Sequence, residues 1–354
     1  MTYTEEEKNL IILSSFEELS LTTKQSVLSA LQSFTPDFTE IDRFPIKSAS
    51  DGVYNKVRKD FYDPAYRQNV FEQLESRGVE CVTLASADYP EQLKQIDNPP
   101  LTLFVKGNRR LLKGKLFSIV GSRHTAPYAL EQCKKFSKEL SEYFTIVSGC
   151  ACGADTAALE VAQRGAISVL AYGFDCIGKV SNSQLIQKIE HTGLIISEYF
   201  PTVQPQKYYF PVRNRIIAGL SKGTLIVSAG NKSGALITAD YTTEYNRELF
   251  VFPYNIGVSS GEGCNTLIKK GANLVQNPLD IFLAFGLDLK PRKEKILSAE
   301  EEKVYSLIKD AGEIFIPLLA EKLGAEPYKL IPVLSLLEIK GLIVRLGGNR
   351  YSIV

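Results

Sequence analysis

Six short apolar runs, each followed by a segment of helical periodicity, fill the centre of this 354-residue chain and constrain its fold more than any other feature. The runs are Phe117–Val120, Thr145–Val147, Ser168–Ala171, Leu194–Ser197, Thr224–Val227 and Leu249–Phe252. The segments Tyr128–Tyr143, Thr156–Gln163, Ser183–His191, Arg215–Leu220, Ala235–Asn246 and Asn265–Lys270 place apolar residues at helical spacing. Strand, helix, strand in repetition requires parallel pairing through right-handed crossovers. The runs are apolar on both faces, as a sheet covered on both sides demands. The expected fold class is therefore α/β, a Rossmann-like, doubly wound, mostly parallel sheet.

The flanks read differently. Residues 1–65 suggest a small helical domain, with helical spacing over Glu5–Ser14 and Thr23–Phe34, a plausible N-cap at Leu21-Thr22-Thr23, and no clear periodicity over Pro36–Asp63. The central domain, 66–284, opens with a helix over Ala65–Arg77 and strands at Cys81–Leu84 and Leu101–Val105, the second stopped by Gly107. Residues 285–297 read as a linker, with Pro291 among Lys290, Arg292, Lys293 and Lys295. In 298–354, Ser298-Ala299-Glu300-Glu301 forms a capping box ahead of a first helix. Helices over Ile316–Leu323 and Pro327–Lys340 follow, and Leu342–Leu346 and Arg350–Val354 flank Gly347-Gly348-Asn349. Three helices and a terminal hairpin predict a winged helix-turn-helix. Its last helix mixes Glu326 and Glu338 with Lys329 and Lys340 and contains Pro332, which favours protein contact over sequence-specific reading of duplex DNA.

Composition narrows the chemistry. The net charge is only +1, so a chain that binds a polyanion must gather its positive charge locally. No apolar run is long enough to span a bilayer, and Met1–Lys8 is acidic, without the pattern of a signal peptide, so a cytoplasmic protein without membrane contact is expected. Six cysteines without a Cys-x-x-Cys pair, and only His124 and His191 beside them, assemble no zinc site. Reduced, mostly buried thiols are expected, and no metal or cofactor.

Ligands of a doubly wound sheet bind beyond the carboxyl ends of its strands, and four segments there are unusual. In Val120-Gly121-Ser122-Arg123, Gly121 permits a close turn, and Ser122 and Arg123 bring a hydroxyl and a guanidinium to a helix N-terminus. The bland alternative is a surface turn that contains an arginine. In Ser148-Gly149-Cys150-Ala151-Cys152-Gly153-Ala154-Asp155, Gly149 and Gly153 make either a backbone cradle for phosphate or a place of tight packing. The segment has neither the ending of a Walker A loop nor dinucleotide spacing. In Lys207-Tyr208-Tyr209-Phe210-Pro211-Val212-Arg213-Asn214-Arg215, aromatic faces suited to bases adjoin cations suited to phosphate, against the alternative of an apolar loop with solvated arginines. Ser233 and Gly234 open a helix soon after a strand, another anion-type position or an ordinary cap. All four would face one rim. Catalytic groupings are poor by comparison. His124 finds no partners for a triad, His191 closes a helix, and Asp155, a candidate carboxylate partner of Glu198, is better read as the cap of a helix starting at Thr156.

Taken in order, these motifs resemble the DNA-processing protein A family (DprA, also called Smf). The resemblance begins near Tyr89-Pro90 and Leu103-Phe104-Val105-Lys106-Gly107 and is densest from Ile119-Val120-Gly121-Ser122-Arg123 to Leu267-Ile268-Lys269-Lys270-Gly271-Ala272. Ser197-Glu198-Tyr199, Phe210-Pro211-Val212-Arg213-Asn214-Arg215-Ile216-Ile217 and Ser233-Gly234-Ala235-Leu236-Ile237-Thr238-Ala239 are its most specific stretches. It implies a cytoplasmic homodimer without cofactor that binds incoming single-stranded DNA during natural transformation, protects it and loads the recombinase RecA, with an N-terminal SAM-like helical domain and a C-terminal winged helix. The DNA-binding residues it suggests, together with the motif reading, are Gly121, Ser122, Arg123, Gly149, Gly153, Lys207, Phe210, Arg213, Asn214, Arg215, Ser233 and Gly234. The chain departs from the family pattern at Leu159, where histidine is usual, at Gly178-Lys179 in place of Tyr-Pro, at Ser228 in place of an acid, and at Tyr254 in place of the glycine of Pro-Gly. The rival expectation is a nucleotide-processing enzyme of a related fold, of phosphoribohydrolase type. The absence of an acid at Ser228 and of a poised base argues against it.

Overall fold

The computed structural model describes residues 2–20, 22–24, 51–163, 165–287 and 297–353. The expected helix Thr23–Phe34 beyond Lys24, the stretch from Pro36 to Ser50 and the basic core of the linker lie outside the described residues. The chain divides into two compact units, residues 1–284 and 285–354.

The first unit is built on a sheet with nine strands among the described residues: β1 (Glu80–Thr83), β2 (Thr102–Gly107), β3 (Leu116–Val120), β4 (Thr145–Ser148), β5 (Ala166–Leu170), β6 (Leu194–Ser197), β7 (Gly223–Ile226), β8 (Glu248–Val251) and β9 (Asn273–Leu274). Their order is β1-β2-β6-β5-β4-β3-β7-β8-β9. From β6 to β9 every pairing is parallel, whereas β2 runs antiparallel to both β6 and β1. Every residue of β3 to β7 is buried, which is why these strands read as unbroken apolar runs. The chain winds outward from β3 in one direction through β4, β5 and β6, then returns to β3's other side with β7. The strand order reverses between β3 and β7, and that switch point opens a crevice at the strands' carboxyl ends.

Among the described residues, the first unit's α-helices include α1 (Glu5–Ser15), α2 (Asp51–Tyr62), α3 (Pro64–Ser76), α4 (Glu91–Lys94), α5 (Pro127–Leu140), α6 (Ala154–Glu160), α7 (Ser183–Thr192), α8 (Tyr209–Leu220), α9 (Gly234–Glu244), α10 (Glu262–Lys269) and α11 (Pro278–Ala284). One boundary differs from the sequence reading in a way that matters. Helix α8 begins at Tyr209, not Arg215, because Pro211 falls in the first turn, where a missing N–H costs nothing. The aromatic and arginine-rich segment is therefore largely helix, and Arg213 and Arg215 lie within it. Helix α1 carries a capping box at Thr4 and buries Leu10, Ile11, Ile12 and Leu13 completely. It packs on β1 and β2, and its residues share one apolar cluster with Val70 and Leu74 of α3, Phe104 of β2 and Leu170 of β5.

The second unit holds α12 (Ala299–Ala311), α13 (Ile316–Leu323) and α14 (Pro327–Ile339) with a three-stranded antiparallel sheet of β10 (Glu313–Phe315), β12 (Arg350–Ile353) and β11 (Ile343–Leu346), in that order. The sequence reading lacked β10, a three-residue strand too short to show periodicity. Ser298 and Glu301 form the capping box of α12, and the same Glu301 carboxylate accepts from Lys340 at 2.7 Å, closing the two ends of the unit on one another. Among the described residues, no helix is long and apolar enough to cross a membrane.

Candidate functional site

A cleft of about 340 Å³ occupies the switch point. Its walls include Val120 to His124 after β3, Ala151 and Asp155 after β4, Phe210, Pro211, Arg213 and Asn214 of α8, and Ser233 to Ala235 at the start of α9. Four segments far apart in sequence thus meet around one opening. Of the residues singled out from sequence, Gly121, Ser122, Arg123, Phe210, Arg213, Asn214, Ser233 and Gly234 line it. Gly149, Gly153, Lys207 and Arg215 are not among its lining residues.

The glycines allow the loops to close on one another. A Cβ on Gly149 would stand 2.7 Å from a guanidinium nitrogen of Arg213. Gly153 has φ +90° and packs against the carbonyls of Ser122 and Arg123, where a Cβ would stand 2.5 and 2.7 Å away. Between these glycines Cys150 takes φ +53°, a conformation a non-glycine residue seldom adopts. The segment is thus a packing joint between the β3 and β4 loops, and Gly153 supplies the N-cap position of α6. This corrects the reading of Asp155 as a cap. Asp155 lies inside the first turn, 5% exposed, and its carboxylate accepts from the N–H of Gly121 at 3.3 Å and of Ala151 at 3.3 Å. It ties the first glycine turn to the second.

Arg213 does the same from the opposite side. It is 5% exposed, and its Nη1 donates to the carbonyl of Gly149 at 3.0 Å and to that of Val169. Burial pushes the Asp155 carboxyl up and the Arg213 guanidinium down, and each group's charge opposes the shift of the other. An arginine remains charged in such a setting, so the pair forms a buried electrostatic tie under the cleft. Arg215 is further from the cleft's chemistry. Its Nη2 donates to Oε1 of Glu198 at 2.5 Å, with both side chains almost wholly buried. Burial works against its charge, but the carboxylate raises its pKa overall. The sequence reading set Arg213 and Arg215 as cations suited to phosphate; α8 turns both guanidinium groups onto internal acceptors, and of the two only Arg213 lines the cleft.

What remains at the rim is simpler. Arg123 is exposed and has no hydrogen-bond or ion-pair partner among the described residues. Lys207, also exposed, precedes α8. The Phe210 ring lies at the cleft wall with the Arg213 guanidinium 6.0 Å from its centroid. Asn214 donates to the Gly234 carbonyl at 3.3 Å, joining α8 to the start of α9, which Ser233 caps through the N–H of Ala235.

Sequence reasoning missed the contribution of Ser228, noted only as a departure from a pattern. Its Oγ accepts from the N–H of Ser122 at 3.0 Å and lies 2.6 Å from Oγ1 of Thr125, which donates to the Ser122 carbonyl at 2.8 Å. This serine pins the Gly121–Arg123 turn to the end of β7, a role an acid would perform with charge. The nearest sequence signal was its position directly after an apolar run. Tyr254, the other departure near this rim, donates from its hydroxyl to the Val227 carbonyl at 2.8 Å and contacts the exposed Tyr128 edge-on.

Comparison with known proteins agrees with this architecture. Residues 80–286 match the family described as DNA recombination-mediator protein A. The DNA processing protein DprA of Bacillus subtilis is 36% identical over 253 residues, covering 70% of this chain and 84% of that protein. Its namesake from Streptococcus pneumoniae is 39% identical over 200 residues, 56% of this chain and 71% of that protein. The X-ray structure of the Streptococcus pneumoniae protein superposes with a TM-score of 0.69 at 30% identity, over 82% of this chain and all of that one. A structure of DNA processing protein A from Helicobacter pylori, described for its single-stranded DNA binding mode, gives a TM-score of 0.54 at 30% identity, over 58% of this chain and 95% of that one. Sheet, motifs and switch-point cleft together lead to one conclusion: the chain belongs to the DNA recombination-mediator protein A family.

Proposed function

We propose that this chain binds single-stranded DNA in the switch-point cleft and acts as a recombination mediator, protecting incoming DNA and loading RecA during natural transformation, as a cytoplasmic homodimer and without catalysing a reaction. The observation that carries the reading is the cleft itself. Its floor is fixed by internal hydrogen bonds, while its rim offers the unpaired guanidinium of Arg123, the ring of Phe210 and the N-terminus of α9. A cation and a helix N-terminus suit phosphate, and an aromatic face suits an unstacked base, with no demand on base identity. The Helicobacter pylori relative described for single-stranded DNA binding supports the same assignment. In this reading Gly121, Ser122, Asn214, Ser233 and Gly234 shape the contact surface and Lys207 adds charge beside it. Gly149, Gly153, Arg213 and Arg215 hold the frame.

Residues 1–65 serve as a SAM-like accessory domain and 298–354 as a winged helix; the three helices and three-stranded sheet of the second unit support the latter. The enzyme alternative is disfavoured because Asp155, the acid among the residues that line the cleft, accepts backbone N–H groups rather than facing a substrate.

The test is a mobility-shift comparison of single- and double-stranded oligonucleotides, with and without RecA. Single strands should bind preferentially, and Arg123→Ala and Phe210→Ala should each weaken binding about tenfold on any sequence. Parent-like binding by both variants, or release of free base from nucleoside monophosphates, would refute the proposal.

A further inference from the structure

Two exposed tyrosines follow or precede residues of the cleft walls without lining the cleft themselves. Tyr208 is 63% exposed and stands directly before α8, two residues ahead of Phe210 in one wall. Tyr128 is 55% exposed and lies in the first turn of α5, four residues beyond His124 in another wall. A single exposed aromatic residue is ordinary on a protein surface. These two differ from that background in what stands behind them.

Each exposed ring is braced at an angle by a second ring that is fixed from within. Tyr208 meets Tyr209 with 4.5 Å between centroids and 65° between planes, and Tyr209 in turn lies 4.1 Å from the buried Tyr199. Tyr128 meets Tyr254 at 5.8 Å and 61°. Tyr254 is buried, and its ring packs on Gly261, where a Cβ would stand 1.9 Å from it. The Asn265 side chain accepts from the Tyr254 N–H at 3.1 Å and donates to its carbonyl at 3.0 Å. The Tyr254 hydroxyl donates to the Val227 carbonyl, next to the Ser228 that pins the Ser122 N–H. The brace behind Tyr128 is therefore tied to the turn that carries Arg123.

A ring held in this way has given up its freedom before a partner arrives, so stacking on it costs little further entropy. Each also follows an exposed cation in the chain: Lys207 immediately precedes Tyr208, and Arg123 stands five residues before Tyr128. Cations for the phosphates and open rings for the bases are the two components that hold an unpaired strand. We propose that Tyr208 and Tyr128 are two further base-stacking positions, beside two walls of the cleft, that hold bases of a single strand where it enters and where it leaves. The inference rests on the cleft binding a single strand. It lengthens the contact without adding a preference for sequence, because every base has a π-face.

Anisotropy titrations of the full chain with thymine oligonucleotides of about 4 to 16 nucleotides test this. Affinity of the parent chain should rise with length until the strand reaches both rings. Tyr128→Ala and Tyr208→Ala should each leave affinity for the shortest bound oligonucleotide unchanged and lower that for the longest about tenfold. Tyr128→Phe and Tyr208→Phe keep the ring and should bind like the parent. Tyr128→Leu and Tyr208→Leu keep apolar bulk without a π-face and should behave like the alanine variants. Parent-like binding of the longest strand by either alanine variant, equal losses at every length, or full affinity in the leucine variants overturns the proposal. Arg123→Ala separates this inference from the reading beneath it. Normal binding of every length by that variant sinks the cleft reading. Weakened binding at every length, with both tyrosine-to-alanine variants like the parent, sinks the stacking positions alone.

Discussion

Arg213 and Asp155 lie beneath the cleft as a pair of opposite charges, each held by backbone groups of two separate segments. Removing one partner of such a pair leaves the other charge buried alone, at a cost of about 3–5 kcal/mol. Arg213→Ala should therefore lower unfolding free energy by about that amount in urea titration, whereas Arg123→Ala, at the exposed rim, should leave it within about 0.5 kcal/mol. Equal stability losses in the two variants would contradict the separation of frame from rim. Lys24 gives a second handle, through pH. Burial pushes its ammonium down from 10.5 to about 8. Below about 8 the folded and unfolded chains are both protonated there. Between about 8 and 10.5 the folded chain has released a proton that the unfolded chain retains, so this residue's destabilising contribution fades as pH rises. The parent chain should gain stability relative to Lys24→Met across that window, as measured by urea midpoints at several pH values. At this scale the sequence singled out eight residues that line the cleft, but not the contacts they make. Arg213 was visible as a cation beside aromatics, but its acceptors, the Gly149 and Val169 carbonyls, come from other strands' ends, and no local pattern reports them.

Helix α8 illustrates how an element can combine tasks. One face presents Phe210, Pro211 and Asn214 to the switch-point cleft, while Tyr209 and Val212 line a separate cavity together with Phe200 and Val203. Its first turn was hidden in the sequence because three successive aromatics and a proline resemble a loop, and proline at a helix start is a local exception to its usual role as a breaker. Helix α14 carries the same residue type where no exception applies. Pro332 sits inside it, exposed, so the Tyr328 carbonyl loses its usual intrahelical donor. Pro332→Ala should stabilise the second unit by about 1–3 kcal/mol, read as slower hydrogen exchange in α12 to α14. No change would mean that the helix is already relaxed around the ring. Tyr328, Ile331, Leu336 and Ile339 are all exposed on the outward face of α14, which is therefore largely apolar. The sequence expectation that this helix favours protein contact rests on other residues, the mixed charges of Glu326, Glu338, Lys329 and Lys340 and the proline at 332.

The whole molecule carries a net charge of +1, and the cations left free at the cleft rim are few. A polyanion bound through a handful of contacts releases few counterions, so the logarithm of affinity should fall with the logarithm of salt at a slope of only about −1.5 to −3. A much steeper slope would place binding on a broad basic surface elsewhere. Deleting residues 297–354 should leave most single-strand affinity in place, since the cleft belongs wholly to the first compact unit. Mobility shifts with the shortened chain check this, and complete loss of affinity would move the interface into the second unit. The parallel core from β3 to β8 was legible because burial on both faces leaves an apolar signature in those strands, whereas the parallel edge strand β9, two exposed residues long, leaves none. The placement of β2 was not, because antiparallel pairing with β6 joins Phe104 to Ser197 across the chain. That pairing has a consequence for synthesis. The β1–β2 ribbon leaves the ribosome first, yet the neighbour that covers its open edge emerges roughly ninety residues later. Throughout that interval the nascent chain carries an uncapped ladder of backbone donors and acceptors beside a greasy helix, α1, so the moment of greatest vulnerability to misassembly falls in the middle of translation, before the crevice exists at all.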